Sequence, residues 1–260
     1  KVEPIKLTER AYYVKGDLGL ISTSNNGYNS NAGFVITDEG VVVFDALGTP
    51  SLGAELLRQI RLITDKPIRL VIISHYHADH FYGLQAFKQA GAEIWAHRRV
   101  QGYLAGDGPR TRLAERQQSL APWVPRDMPL LAPDRYLDRD ESFTLGGLQF
   151  QVRHIGPAHT AEDLMLLVKQ DGVAFVGDLI FTGRVPFVGD ADSRAWLAAI
   201  DRISNRAEFI KTLADLEMRG LGGVFGVGIY GDAMNSEMNI VYLGQGGLSL
   251  PDEAYYREEQ

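Results

Sequence analysis

Cysteine is absent from all 260 positions of the chain. That single absence excludes thiol nucleophiles, disulfides, iron–sulfur clusters and thiolate zinc sites. It is compatible with an oxidising or a reducing compartment. No run of about 18 apolar residues occurs, so no membrane-spanning helix is indicated. Basic residues are outnumbered by acidic ones, and the formal net charge of −7 gives no support for a nucleic-acid-binding surface. The chain opens Lys1-Val2-Glu3-Pro4 without an apolar segment, so the expectation is that any export signal has been removed or never existed. Histidine is scarce, with six in total, and none follows His159.

Three of those six histidines fall within six positions, His75-Tyr76-His77-Ala78-Asp79-His80. Imidazole nitrogens and a carboxylate suit zinc, iron or manganese, and a cluster this dense holds two ions more naturally than one. The plain alternative is a solvated loop rich in histidine. Concentrating half of a scarce residue at one point argues against it. The cluster also follows residues 68–73, a near-continuous apolar run of the kind a strand buried on both faces carries.

Elsewhere the first two hundred residues alternate strand-like and helix-like stretches. Residues 33–37 and 41–44 flank an Asp-Glu-Gly turn and predict a hairpin. Apolar residues at Leu52, Leu56, Leu57, Ile60 and Ile63 have helical spacing. Residues 82–90 read as a short helix that Gly91 ends, and residues 92–96 as a strand. Residues 98–133 carry Gly106, Gly108, Pro109, Pro122, Pro125 and Pro129, and are read as a helix-poor insertion lying over something. Strands are expected at 148–155, 164–168 and 173–176. Helices able to cover both faces make this a layered α/β sandwich, and 260 residues suffice for one large domain or one domain with a small appendage.

His159 and Asp178 are the next candidates. From His159 the chain runs out along residues 164–168, turns at Asp171-Gly172 and returns along 173–176 to Gly177-Asp178. Matched legs of a hairpin bring Asp178 back beside His159, at a sheet edge where the 75–80 cluster can meet them. One carboxylate there can bridge two cations about 3.5–4 Å apart. Alone, His159 reads equally as a core or capping histidine, and Asp178 as a strand-end turn residue. His97 and His154 read as structural, His97 opening a helix and His154 ending a strand. The letters of Gly226-x-Gly228-x-x-Gly231 match a dinucleotide fingerprint, but no βαβ unit surrounds them, and a glycine-rich hairpin is expected instead.

His-x-His-x-Asp-His after a buried strand, a later His159 within Gly-Pro-Ala-His-Thr, and Gly177-Asp178 after another strand resemble the metallo-β-lactamase-fold hydrolases over residues 5–202. The resemblance implies an αββα sandwich with a metal site between its halves. In that pattern His75, His77 and His159 hold one zinc, Asp79 and His80 hold a second, and Asp178 bridges. Water ionised between the cations would attack a small ester, thioester, lactone or amide, with Asp79 orienting it and passing a proton to the leaving group. Residues 177–181 and 196–200 resemble the quinoprotein- or sulfur-oxidation-associated branch, which favours the periplasm and leaves the cytoplasm open. The partner expected is a small-molecule substrate, and oligomeric state leaves no signature.

The pattern breaks at its end. The family carries one more histidine after the last helix, completing the second site, and this chain has none. A weak second zinc or a mononuclear centre is the expectation. From about Ser204 the sequence resembles a non-catalytic N-terminal part of neprilysin-like zinc endopeptidases, most specifically over residues 243–251, without that family's His-Glu-x-x-His site. The chain therefore reads as composite: a metallo-β-lactamase-like domain over 1–202 and an atypical C-terminal segment over 203–260. A divergent tail with chance similarity is the plainer alternative. Two rival functions follow. One is a mononuclear iron centre similar to persulfide dioxygenases, held by His75, His159 and Asp178, which needs no C-terminal histidine. The other is a metal-binding domain made inactive by the missing ligand.

Overall fold

The computed structural model describes residues 1–17, 19–180 and 186–204, together with two strands, Gly226–Gly228 and Ile240–Tyr242. Two β-sheets stack face to face. The first contains β1 (Ile5–Lys6), β2 (Ala11–Val14), β3 (Ala32–Ile36), β4 (Val41–Phe44), β5 (Ile68–Ile72), β6 (Glu93–His97) and β7 (Arg135–Leu137), in that order. It is antiparallel from β1 to β4 and parallel from β4 to β7. The second is antiparallel throughout and contains β8 (Glu141–Leu145), β9 (Leu148–His154), β10 (Leu164–Val168), β11 (Val173–Phe175), β12 (Gly226–Gly228) and β13 (Ile240–Tyr242), in the order β12-β13-β11-β10-β9-β8.

The hairpin of β3 and β4 and the strands β5, β6, β9, β10 and β11 lie where the apolar runs placed them. Helix α1 (Pro50–Ile63) starts at Thr49, whose side chain caps Leu52 N, and buries Leu52, Leu56, Leu57 and Ile60. Every residue of β10 is buried because the strand is covered twice. Leu164, Leu166 and Val168 face the first sheet, while Met165 and Leu167 join Ala174, Val176 and Trp196 in a second cluster under α6 (Ser193–Ser204). The four layers are helix, sheet, sheet and helix, the αββα sandwich that the family resemblance implies; the apolar patterning alone predicts a layered α/β sandwich.

Two local expectations need correction, and one gains a detail. The short helix expected over 82–90 is α3 (Leu84–Gln89), preceded by the single-turn α2 (Ala78–Phe81). Gly83 separates them, and a Cβ there would lie 1.9 Å from the Ala46 carbonyl oxygen, so the backbone itself occupies the side-chain space. The 98–133 insertion is not helix-poor. It holds α4 (Val100–Ala105) and α5 (Gly108–Ser119), and Pro109 lies in the first turn of α5, where its missing N–H breaks nothing. His97 ends β6 rather than opening a helix, and its ring stacks on His154 with centroids 3.7 Å apart. The fingerprint-like glycines begin in β12, which pairs antiparallel with β13. The last of them, Gly231, and residues 243–251 lie outside the described residues.

The sheets meet closely at Gly33, where a Cβ would sit 2.3 Å from the Phe175 ring, itself fully buried and stacked on Phe44. Gly33→Ala is expected to destabilise the fold by about 1–3 kcal/mol through overpacking, read as a lower urea midpoint at unchanged slope. A second expectation concerns acid. Burial, then the neighbouring His154, lowers His97 from its ordinary 6.5 to about 4. Above pH 6.5 the ring is neutral folded or unfolded. Between 6.5 and about 4 only the unfolded chain takes the proton, so stability falls as pH falls through that window. His97→Gln is expected to lose less stability than the parent between pH 7 and 4.5, and an equal loss would contradict it.

Candidate metal centre

The cluster that follows β5 is fixed by the chain around it. Ser74 N and Oγ both donate to the buried Asp45 carboxylate at 2.8 Å. Asp45, directly after β4, lies in the left-handed region, φ 64°, which non-glycine residues rarely adopt. The second sheet attaches at the same point, where Leu164 N donates to Ser74 O at 2.9 Å. The β10–β11 hairpin pairs Leu166 with Phe175 and Val168 with Val173. Its return leg enters a 3₁₀ turn, Gly177–Leu179, that carries Asp178. Gly177 has φ +54, and a Cβ there would be 2.8 Å from Ser74 Cβ. Trp196 of α6 secures the turn by donating Nε1–H to Leu179 O at 2.9 Å.

These contacts gather all six sequence-predicted residues. His75 Nε2 and His159 Nε2 lie 3.1 and 3.0 Å from His77 Nδ1. Asp178 Oδ2 is 3.3 Å from His159 Nε2 and 3.7 Å from His75 Nε2. One donor atom from each of His75, His77, His159 and Asp178 falls within a 4.8 Å set. Beside it, Asp178 Oδ1 lies 3.3 Å from His80 Nε2, and Asp79 Oδ2 lies 3.8 Å from the same nitrogen. Asp178 thus presents one oxygen to each group. His97 and His154, stacked on each other, are not in the set.

Each histidine has its other nitrogen occupied. Ser74 Oγ, committed as donor to Asp45, accepts from His75 Nδ1 at 2.9 Å. His80 Nδ1 donates to Asp45 Oδ2 at 2.8 Å, His159 Nδ1 to the Phe187 carbonyl at 3.1 Å, and His77 Nε2 to Asp190 Oδ2 at 3.2 Å. Those bonds fix the tautomers so that the lone pairs of His75 Nε2, His77 Nδ1, His159 Nε2 and His80 Nε2 face inward. His80 Nε2 and both Asp178 oxygens are buried without a hydrogen bond among the described residues. A buried carboxylate left this way is costly unless a cation neutralises it. A tetrahedron with ligand distances of about 2.0 Å has edges of about 3.3 Å, close to the spacing of the three nitrogens. The donor set therefore fits a metal ion.

Electrostatics agree. Burial, then mutual repulsion with the neighbouring rings, pushes His75 and His159 well below the ordinary imidazole range, which keeps them neutral ligands. Burial alone would also lower His80, but the Asp178, Asp45 and Asp79 carboxylates hold it up to about 10, so without a cation its Nε2 carries a proton that a metal ion would have to displace. Burial raises Asp178. The three carboxylates draw positive charge into this space. The centre opens on a cavity of about 520 Å³ that reaches His77, His159 and Asp79, with Tyr103 of α4 and Arg112 and Arg116 of α5 in its wall. The insertion over 98–133 does lie over something.

The Metallo-beta-lactamase superfamily profile matches residues 25–210. The chain belongs to the metallo-beta-lactamase superfamily. Among curated relatives it is 26% identical to a metallo-beta-lactamase type 2 of Elizabethkingia meningoseptica over 201 residues, 74% of this chain and 72% of that one. It is 28% identical to hydroxyacylglutathione hydrolase GloC of Haemophilus influenzae over 51% of this chain and 60% of that one. Among solved structures, a metallo-beta-lactamase from Pontibacter korlensis superposes with a TM-score of 0.60 at 20% identity, covering 84% of this chain and all of that one. The sec-alkylsulfatase Pisa1 from Pseudomonas sp. gives 0.63 at 17% identity, over 94% of this chain and 39% of that one. At these identities the structural likeness speaks for the fold. A profile of peptidase family M13 matches residues 188–260, in line with the resemblance of the tail. Among the described residues no helix is long and apolar enough to cross a membrane.

Sequence reasoning missed Asp45 and Asp190. Asp45 directly follows the buried strand β4, the same signal that located the histidine cluster. Asp190 is 113 positions from His77 in a stretch without periodicity, and no local signal marks it. Its side chain is largely exposed, so Asp190→Ala is expected to leave the urea midpoint unchanged. Affinity for a divalent cation, measured against a chromophoric chelator, is expected to drop about tenfold because the His77 tautomer is released. Unchanged affinity would contradict this role.

Proposed function

We propose that the protein is a metal-dependent hydrolase of a small ester, thioester, lactone or amide. The observation that carries the reading is the inward aim of three imidazole lone pairs and a buried Asp178, without a hydrogen bond among the described residues, beside an open cavity. In this reading His75, His77 and His159 hold one zinc ion. Asp79 and His80 would hold a second, weaker one, and Asp178 would contribute to both. Such ions supply ionised water at neutral pH and positive charge beside the reacting oxygen. Asp79 borders the cavity, and its Oδ2 accepts from Asn29 Nδ2 at 3.3 Å. That carboxylate is placed to orient water and to carry its proton to the leaving group. The curated relatives support this class by name, since one is a metallo-beta-lactamase and the other a hydroxyacylglutathione hydrolase.

The iron reading uses only His75, His159 and Asp178. His77 Nδ1, 3.0 Å from His159 Nε2 and 3.1 Å from His75 Nε2, supplies a fourth donor and supports the zinc set instead. Protein purified without added metal is expected to contain zinc, at one to two ions per chain. His77→Ala is expected to reduce hydrolysis across an ester, thioester, lactone and amide panel to background. One iron per chain, or wild-type turnover by His77→Ala, would reject the zinc mechanism. Metal well below one per chain would favour the inactive domain.

A further inference from the structure

Asp163 is a buried carboxylate, 2% exposed, outside the metal-ligand set. Both of its oxygens accept from Thr160, Oδ2 from the backbone N–H and Oδ1 from the hydroxyl, each at 2.8 Å. Its own carbonyl accepts from Ile155 N at 2.9 Å and from Gly156 N at 3.2 Å. Residues 155–163 therefore form a loop closed at its neck. A further bond, Ala158 N to Thr160 O at 2.8 Å, brackets His159 itself. Space inside the neck is tight, since a Cβ on Gly156 would meet the Ala161 carbonyl oxygen at 2.7 Å. The next residue, Leu164, donates its N–H to Ser74 O, one position from His75. Asp163 thus stands between the strand end that carries His75 and the loop that carries His159. Burial pushes its carboxyl up to about 7, and chiefly the Thr160 bonds act against that rise. A buried carboxylate is costly unless hydrogen bonds satisfy it. Among the described residues both of its side-chain bonds come from Thr160, so the carboxylate and the shape of the loop hold each other.

We propose that Asp163 is the positioning residue of His159. Through Thr160 its carboxylate shapes the loop before any cation arrives, so the fold itself delivers the third imidazole to its place. The ligand role of His159 belongs to the hydrolase reading above, and the experiment separates the two. Amide exchange is first followed by NMR on metal-free protein. The Ile155 and Thr160 N–H groups of the parent are expected to be protected. In Asp163→Asn, whose amide offers one acceptor oxygen to two donors, they are expected to exchange roughly tenfold faster. Zinc is then titrated in competition with a chromophoric chelator. Asp163→Asn is expected to bind it roughly ten- to hundredfold more weakly. Thr160→Val, which deletes the hydroxyl donor, is expected to bind zinc more weakly than the parent, and Thr160→Ser, which keeps that donor, to match it. A purely structural role would lower the urea midpoint and leave the zinc affinity of the folded protein alone. Unprotected amides in the metal-free parent, exchange unchanged by Asp163→Asn, or zinc affinity unchanged in both Asp163→Asn and Thr160→Val would each overturn the assignment. Circular dichroism checks that Asp163→Asn folds, and if it does not, the two Thr160 variants decide both readouts. His159→Ala is the control for the metal reading. Should it bind zinc as the parent does, His159 is no ligand and the hydrolase reading falls, while the exchange rates still decide what Asp163 does in the loop.

Discussion

Four ring N–H groups are held outward so that four lone pairs can point inward. Ser74, Asp45, the Phe187 carbonyl and Asp190 do the holding. The space they enclose also contains Asp178, whose carboxylate is buried and makes no hydrogen bond among the described residues. Acceptors facing acceptors at about 3 Å repel one another, and a carboxylate removed from water adds a desolvation cost of several kcal/mol. A positive charge placed among them removes both costs. The folding energy of the sandwich holds this acceptor-rich space together, and cation binding returns part of that energy.

The sandwich architecture exists at this end to bring two sheets to one point. Ser74 stands at the junction. Its amide and hydroxyl secure Asp45 of the first sheet, and its carbonyl accepts from Leu164 of the second. Gly177 can approach Ser74 only because it lacks a Cβ and tolerates a positive φ. The same logic operates at Gly83 against Ala46 and at Gly33 against Phe175. Positive φ at Asp45 and Leu47 places backbone strain beside the centre, where it is sustained by fully buried surroundings. Short loops pinned to the ends of rigid strands, together with strained turns, set the positions of the donor atoms.

Much of this was legible in the sequence because strands announce themselves by buried runs and ligands by residue type. The run before His75 located His75, His77, Asp79 and His80, the matched legs around Asp171-Gly172 located His159 and Asp178, and the resemblance to a known motif grouped them. Asp45 escaped notice because a single aspartate after a strand also suits a turn, and only the fold reveals Ser74 and His80 beside it. Asp190 and the Phe187 carbonyl act over sequence separations that no local pattern records. Helix α5 was misread because proline and glycine were taken as breakers, although Pro109 lies in the first turn, where proline favours a helix.

The measurement that bears most directly on the centre is a crystal structure recorded on both sides of the zinc absorption edge. The account predicts an anomalous peak about 2.0–2.1 Å from His75 Nε2, His77 Nδ1 and His159 Nε2, with Asp178 beside it. A zinc-soaked crystal with no peak there, or with its strongest peak away from these nitrogens, would contradict it.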